Sequence, residues 1–579
     1  MRNRIASGLP EHGVGTRSQR APLADCSRRD RMGSVFHILK GAFLEKASRV
    51  PAIWIPLSYG IALLLLSPLH GLFSEWGGVM QYFAGKEILA GNGYHGWTSH
   101  FWPPLYSLLI GLGSLILPAF FAGKLISILG SALLLYVVYH LAMLLTNQAN
   151  IGLWAQAFIA LNPLYVYESL QAHNHILDSL FFVLGILLFL QLLEQPTVLR
   201  TLLAGLVCGV AGLSRYTSYV LIFMPLSLFV LFEFRKATRL SLSFWLGFAV
   251  ISSPWWYYNA KYNGSPFYTW NYLNICAAAF RDSELGLSLH ALWRCNGMAN
   301  VTSTLDIFMT YPKEYIRNFV TNILNCLESI TNGSLAIFVV PAMVESFLSI
   351  KPKYLLILFG EFCWSVILVS QAYVTPWYLL SWTVVMTIIT VAFVLKYFEK
   401  LQEIYPTLVK YHFSKSCVVL LLLLSFFLTC RELRAYAREK HTYSPLWESE
   451  QVTKALKQHD SNIEDKVIMA IDPARAYYLG SKYLATPFEY GGTIDGLVSY
   501  RSLSERFKEY APKHPASIPG SGLRADYFIY TNPKGIAQSR LHDLHQFSFL
   551  LDPNSQQIPK NFNVIYQSSD VIAYEIDWK

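Results

Sequence analysis

Hydrophobic and polar positions divide the chain into two unlike stretches. Up to about residue 431, long apolar runs recur with short polar breaks between them. Beyond about residue 445 the runs shorten, and charges and turn residues take over. A run of ~20 mostly apolar residues matches the thickness of a bilayer's hydrocarbon core. On that basis spans are predicted near 51–70, 122–146, 151–167, 177–193, 200–214, 217–233, 240–256, 334–350, 354–372, 376–397 and 416–431. The segment 104–119 (PLYSLLIGLGSLILPA) reads either as a further span or as a helix lying at the interface.

Cationic loops mark the cytoplasmic side of a membrane protein. Counting 104–119 as non-spanning groups Arg235, Lys236 and Arg239, the Lys351–Lys353 turn, and Lys396, Lys400, Lys410 and Lys415 on the side of the basic N-terminus. The expectation is therefore 11 spans with the N-terminus inside and the C-terminus outside. Loops 71–121, 162–176, 257–333 and 373–375 then fall on the outer face.

Alternation past residue 445 predicts a small α/β domain. KVIMAID (466–472) and ADYFIYT (525–531) read as buried strands, and FNVIYQSSDVIAYEI (562–576) as a hairpin turning at Ser568, Ser569 and Asp570. PARAYYLG follows the first strand as a turn into a helix, and no glycine-rich nucleotide motif opens the domain. The domains expected are a basic, disordered cytoplasmic segment at 1–49, a multi-span membrane domain at 50–431, and an extracytoplasmic α/β domain at 432–579.

Composition agrees with this division. Of 579 residues, 53% are hydrophobic and only 14% charged, against ~25% charged in soluble domains. Much of the net charge of +9 sits in the first 49 residues, ahead of the first span. The positive-inside rule accounts for it, so nucleic acid is not indicated as a partner. The same segment lacks the short apolar core and small-residue cleavage site of a removable signal peptide, and Met32 is an alternative start. Eight cysteines without a CxxC pair do not suggest a metal cluster. Cys276 and Cys295 share the large outer loop, where either a disulfide or two free thiols is compatible with the sequence.

Candidate chemistry gathers on the predicted outer face. Glu75 follows the first span, in a loop that continues through Tyr82 to Trp102-Pro103-Pro104. A second loop, NPLYVYESLQAHNHILD, carries Glu168, His173, His175 and Asp178. The turn GLSRYTS lifts Arg215 to the same side, and SPWWYYNAKYNGSPF brings Asn259 and Lys261. Ionisable groups beside a membrane are costly unless solvated or used. A cation such as Arg215 or Lys261 suits an anionic leaving group, and a carboxylate such as Glu75 suits proton removal from an acceptor. Tyr82, Trp102, Glu168, His173, His175 and Asn259 are candidates to contact substrate. Two histidines with neighbouring acids give a divalent metal only weak support, because no third convincing ligand accompanies them.

In this order the motifs resemble the GT-C glycosyltransferases, in particular the protein O-mannosyltransferase-like group (family 39) and its aminoarabinose-transferase relatives. The resemblance rests on YFAGKEILAGNGY with WPPLYSLL, ALNPLYVYESLQAHNHILDSLFF, GLSRYTSYVLIFMP, SPWWYYNAKYNGSPF and VIMAIDPARAYYLG, across most of residues 50–490. It implies a sugar donor linked to polyprenyl phosphate and an inverting transfer on the outer face. The acceptor would be a cell-surface glycan, lipid or protein, and the enzyme would sit in a bacterial inner membrane. Glu75 takes the place of the first-loop acid, Asp178 of the second-loop acid and Arg215 of the hairpin arginine. The chain departs from the family at Tyr258, where arginine usually precedes the asparagine, and at TPWYLLSW (375–382), which lacks a late arginine. The competing reading is a transporter or lipid flippase of glycan assembly. No internal repeat of the kind common in transporters is visible.

Overall fold

The computed structural model describes residues 49–70, 76–94, 101–269, 271–279, 303–331, 333–372, 374–405, 413–442, 444–470, 474–485, 525–532 and 549–577. The N-terminal helices are α1 (Arg49–Leu66), α2 (Trp76–Leu89), α3 (Leu105–Ser114), α4 (Ala119–Thr146), α5 (Ala149–Ala160), α6 (Pro163–Leu170), α7 (His175–Glu194) and α8 (Val198–Ser214). A 3₁₀ segment, Tyr216–Ser227, leads into α9 (Leu228–Leu231) and α10 (Phe234–Asn263). Then come α11 (Asn271–Ala279), α12 (Thr304–Thr310), α13 (Pro312–Ile330), α14 (Ala336–Ser349), α15 (Pro352–Ser370), α16 (Leu380–Ile404), α17 (Phe413–Thr442) and α18 (Ser444–His459).

Five of the described helical stretches are long and apolar enough to cross a membrane: Ala119–Thr146, His175–Glu194, Pro352–Ser370, Pro376–Ile404 and Ser416–Arg434. Shorter apolar helices surround them, and together they form a polytopic α-helical membrane fold. Helix α7 is apolar on all sides and has 78% of its apolar window buried, as expected for a helix enclosed by others. It packs against α4, α8 and α16. Beside it α8 and α10 cross at backbone contact. A Cβ on Gly205 would stand 2.1 Å from the Phe244 carbonyl oxygen, and one on Gly247 2.3 Å from that of Leu202. Small residues permit this approach, which is how membrane helices gain packing without a hydrophobic drive between them.

Two predicted spans take other forms. Residues 151–167 are not one helix: α5 ends at Ala160 and α6 restarts at Pro163. Proline lacks the N–H that a continuing helix needs, and the Asn162 side chain caps α6 by accepting the Tyr165 N–H at 3.1 Å. The span predicted at 217–233 is instead a 12-residue 3₁₀ run, Tyr216–Ser227, with Pro225 inside it, followed by the short α9; such a run is far beyond the usual three or four residues. Helix α3 has ten residues, about 15 Å of rise, short of the ~30 Å hydrocarbon core.

Within the loop expected at 257–333, α13 is amphipathic in an unusual sense. Ile316, Val320 and Leu324 point outward, while Asn318, Asn322 and Asn325 turn toward the protein. The question of a Cys276–Cys295 pair lies outside the described residues.

The C-terminal part holds a five-stranded sheet: β1 (Val467–Ala470), β2 (Lys482–Ala485), β3 (Tyr527–Thr531), β4 (Phe562–Gln567) and β5 (Val571–Ile576), in the order β2-β1-β3-β5-β4. Strand β1 runs parallel to β2 and β3, whereas β5 runs antiparallel to β3 and β4. Short helix α19 (Ala474–Leu479) carries the chain from β1 to β2. The predicted strands and hairpin are present, and Ser568 closes the turn, its N–H donating to the Val571 carbonyl at 2.8 Å. Strand β2 was not anticipated. Its four residues, KYLA, carry too little alternation to announce it. The sheet sits over α2: Met80 and Phe101 share a core with Ile468, Ile529 and Ala573, and Tyr82 meets Tyr477 edge to face at 5.4 Å.

Candidate active site

The turn between α6 and α7 brings the second-loop residues together. Glu168, on the last turn of α6, is buried, and His175 opens α7. Their side chains meet at 2.6 Å between Oε2 and Nδ1. The rings of His173 and His175 lie 3.9 Å apart, and the His173 carbonyl accepts the Ser127 hydroxyl at 3.2 Å. Helix α2 closes over His173 through Gly77, where a Cβ would stand 2.5 Å from Nε2. Trp102 presents its ring edge-on to His173 at 6.3 Å.

A second turn meets the first. Helix α8 ends at Ser214, Arg215 is extended, and the 3₁₀ run begins at Tyr216. The Asn174 amide donates to the Ser214 carbonyl at 2.8 Å, and the Ser218 hydroxyl donates to Asp178 at 2.5 Å. These two bonds latch the turns together. Ser218 N–H also donates to the Arg215 carbonyl at 3.1 Å, so Asp178 acts on the geometry around Arg215. Arg215 is 6% exposed and its guanidinium lies over the Tyr378 ring at 4.3 Å, while Nη1 has no hydrogen-bond partner among the described residues. A buried cation with an unmet donor is poised for an anion.

The electrostatics follow from burial. The Glu168 carboxyl is pushed up to about 7 by loss of solvent, against the opposing pull of His173 and Arg215. His173 is held well below its usual range, first by burial and then by His175. Near neutral pH the site therefore offers a neutral His173 and the Glu168 carboxyl, held by burial well above its ordinary range, beside the Arg215 guanidinium.

Trp377 and Tyr378 complete the cluster. Trp377 stacks on His175 at 5.9 Å and 13°, beside Tyr378 under Arg215. Both sit in the segment after α15, and α13 holds the start of that segment. Asn318 Nδ2 donates to the Gln371 carbonyl at 3.1 Å, Asn322 Nδ2 to those of Ser370 at 3.2 Å and Ala372, and Asn325 Nδ2 to Asn322 Oδ1 at 3.1 Å. The last carbonyls of a helix lack intrahelical partners; here an asparagine ladder supplies them.

Of the residues proposed from sequence, Glu168, His173, His175, Asp178, Arg215 and Trp102 are brought together. Glu75 lies outside the described residues. Tyr82 packs at the junction with the C-terminal sheet. Asn259 is fully buried in α10, with Nδ2 3.5 Å from the Pro266 carbonyl. Lys261 is exposed on the last turn of α10, with Nζ over the Tyr262 ring at 4.9 Å. The sequence places it near Asn259 but not on the same face of the helix. Trp377 and Tyr378 were missed as site residues; the aromatic pair after Pro376 was the available signal. Among the described residues no three His, Cys, Asp or Glu side chains group as a metal site.

The polytopic helical bundle with its small C-terminal sheet shares its fold with solved membrane-protein structures. Residues 102–258 match the family model described as dolichyl-phosphate-mannose-protein mannosyltransferase. The crystal structure of ArnT from Cupriavidus metallidurans bound to undecaprenyl phosphate is similar, with a TM-score of 0.55 and 11% identity, over 90% of this chain and 97% of that one. The Archaeoglobus fulgidus oligosaccharyltransferase in the apo form gives 0.53 at 13% identity, over 85% and 70%. The archaeal oligosaccharyltransferase AglB from Archaeoglobus fulgidus, in complex with an inhibitory peptide and a dolichol-phosphate, gives 0.50 at 13%, over 82% and 69%. No curated protein matches the chain significantly.

Proposed function

We propose that the protein is a membrane glycosyltransferase that moves a sugar, with inversion, from a polyprenyl-phosphate donor to a glycan, lipid or protein acceptor at the outer face of a bacterial inner membrane. The observation that carries this reading is the buried Arg215 with an unmet Nη1 donor, flanked by Glu168, His173 and Asp178. The lipid phosphates named with the two similar structures support it. In the reaction the acceptor oxygen or nitrogen attacks the anomeric carbon as the bond to phosphate breaks. Arg215 takes the charge released on the phosphate, and the first-loop acid Glu75 takes the acceptor proton. Glu168 orients His175 through Nδ1, and His175 with Trp377 forms a wall of the sugar site. The soluble sheet helps to bind the acceptor.

Two experiments test the reading. The purified protein should bind undecaprenyl phosphate and transfer sugar from a glycosylated form of it, and Glu75→Gln should abolish transfer. Deletion in the native host, followed by mass spectrometry of surface glycans, lipids and glycoproteins, should show one missing sugar. Absence of lipid-phosphate binding by the wild-type protein would overturn the reading.

A further inference from the structure

Gln81 is 1% exposed, and neither its Nε2 nor its Oε1 has a hydrogen-bond partner among the described residues. A carboxamide offers two donors and two acceptor lone pairs, and a buried one left unmet is uncommon and calls for an explanation. The position on α2 supplies one. Residues spaced by three and four share a helix face, so Gln81 stands between Gly77 and Ala84. Gly77 abuts His173, and Ala84 packs with Tyr94 and Trp255 beside Leu213 and Tyr216. Between those contacts runs the latch of Asn174 to Ser214. Asn174 and Arg215, the residue after Ser214, contribute two more unmet buried atoms, Oδ1 and Nη1. Three unsatisfied buried polar groups thus come from three elements that pack against one another.

We infer that Gln81 is a specificity-determining residue that reads the hydroxyl groups of the donor sugar while Arg215 holds the phosphate to which that sugar is joined. This rests on the donor reading above. A neutral group that both donates and accepts suits a polyol, and it adds no charge beside the phosphate. A site built to hydrogen-bond hydroxyls discriminates strongly against a ligand lacking them, because its own polar atoms are then left unpaired.

The test compares binding of undecaprenyl phosphate with binding of its mannosyl, glucosyl, galactosyl and 4-amino-4-deoxyarabinosyl forms in lipid nanodiscs. The wild-type protein should bind one sugar-bearing form about tenfold more tightly than the bare lipid. Gln81→Leu should erase that preference while leaving the affinity for the bare lipid within about twofold; Gln81→Glu, which keeps the shape and loses the donors, should lower the preference without loss of thermal stability. A preference retained in both variants, or no sugar preferred by the wild-type protein, overturns the role of Gln81 alone. Failure of the wild-type protein to bind any of these lipids overturns the donor reading and this inference with it.

Discussion

Helix α7 begins and ends in polar side-chain contacts, and the two ends differ in kind. At its start Glu168 and His175 meet at 2.6 Å with side chains only 3% and 9% exposed. At its end Glu194 receives Lys351 at 3.0 Å and Lys353 at 3.2 Å, all more than a quarter exposed, together with the Tyr354 hydroxyl. An exposed pair forms at little desolvation cost and contributes little, because water and salt screen it. Buried polar groups such as Glu168 and His175 lose their hydration, and replacing such a pair by well-packed apolar side chains is often neutral or stabilising. The start of α7 therefore carries a polar cluster that stability does not require. Function is the better account of it.

The largest effect that would confirm this contrast is at Arg215. Arg215→Gln should lower transfer by about a hundredfold or more, as expected when one charge-stabilising donor is removed, and should weaken undecaprenyl phosphate binding in parallel. Equal binding by the variant, measured on the purified protein, would place the phosphate elsewhere. Glu168 comes next. Its folded pKa of about 7 lies above the ordinary carboxyl value, so the ionised form is gained only as pH rises through about 7. Transfer should rise over that interval if the carboxylate is the form that orients His175. Glu168→Gln should cost about tenfold and flatten this limb of the pH profile. Stability should run the opposite way. The native state holds a proton that the unfolded state has already released, so stability falls as pH rises from the unfolded value toward 7, and the variant should lose that slope.

The sequence announced the ends of α7 unequally. Glu168, His173, His175, Asp178 and Arg215 stood out because ionisable groups beside apolar runs are rare. The helices themselves were legible because a bilayer requires every backbone polar group to be paired within its own segment. Trp377, Tyr378 and Gln81 were not legible as site residues. An aromatic or an amide acquires a role from its neighbours, and here those neighbours arrive from distant parts of the chain. Lys261 shows the converse. Its proximity in sequence to Asn259 said nothing of which helix face it occupies. The break at Pro163 was written in the sequence, but an apolar run hides a proline that sits at the start of a new helix.

The asparagine ladder sharpens the comparison from outside the cluster. Asn322 touches neither His175 nor Arg215, yet it holds the Ser370 and Ala372 carbonyls ahead of Trp377 and Tyr378. Asn322→Leu should reduce transfer about fivefold, and it should do so through those aromatics. Combined with Tyr378→Leu, the loss should be less than the product of the single losses, since residues that act through one element are not additive. Hydrogen exchange across 370–380 should rise in the variant. Multiplicative losses with unchanged exchange would separate the ladder from the site.

The smallest effect is expected at the other end of α7, and its smallness is what makes it informative. Glu194 lies on the same helix as His175, so a long-range mechanical influence on the site would travel along α7. Lys351→Ala removes the closer of the two lysine partners and leaves Lys353 and the Tyr354 hydroxyl to hold Glu194. An exposed pair contributes about 0–1 kcal/mol, so the melting temperature should move by no more than a few degrees for a chain of this size, and less still at high salt. Transfer and its pH profile should remain those of the wild-type protein. A change in the limb near pH 7 would mean that the two ends of α7 are coupled and that the contrast between them is not one of burial alone.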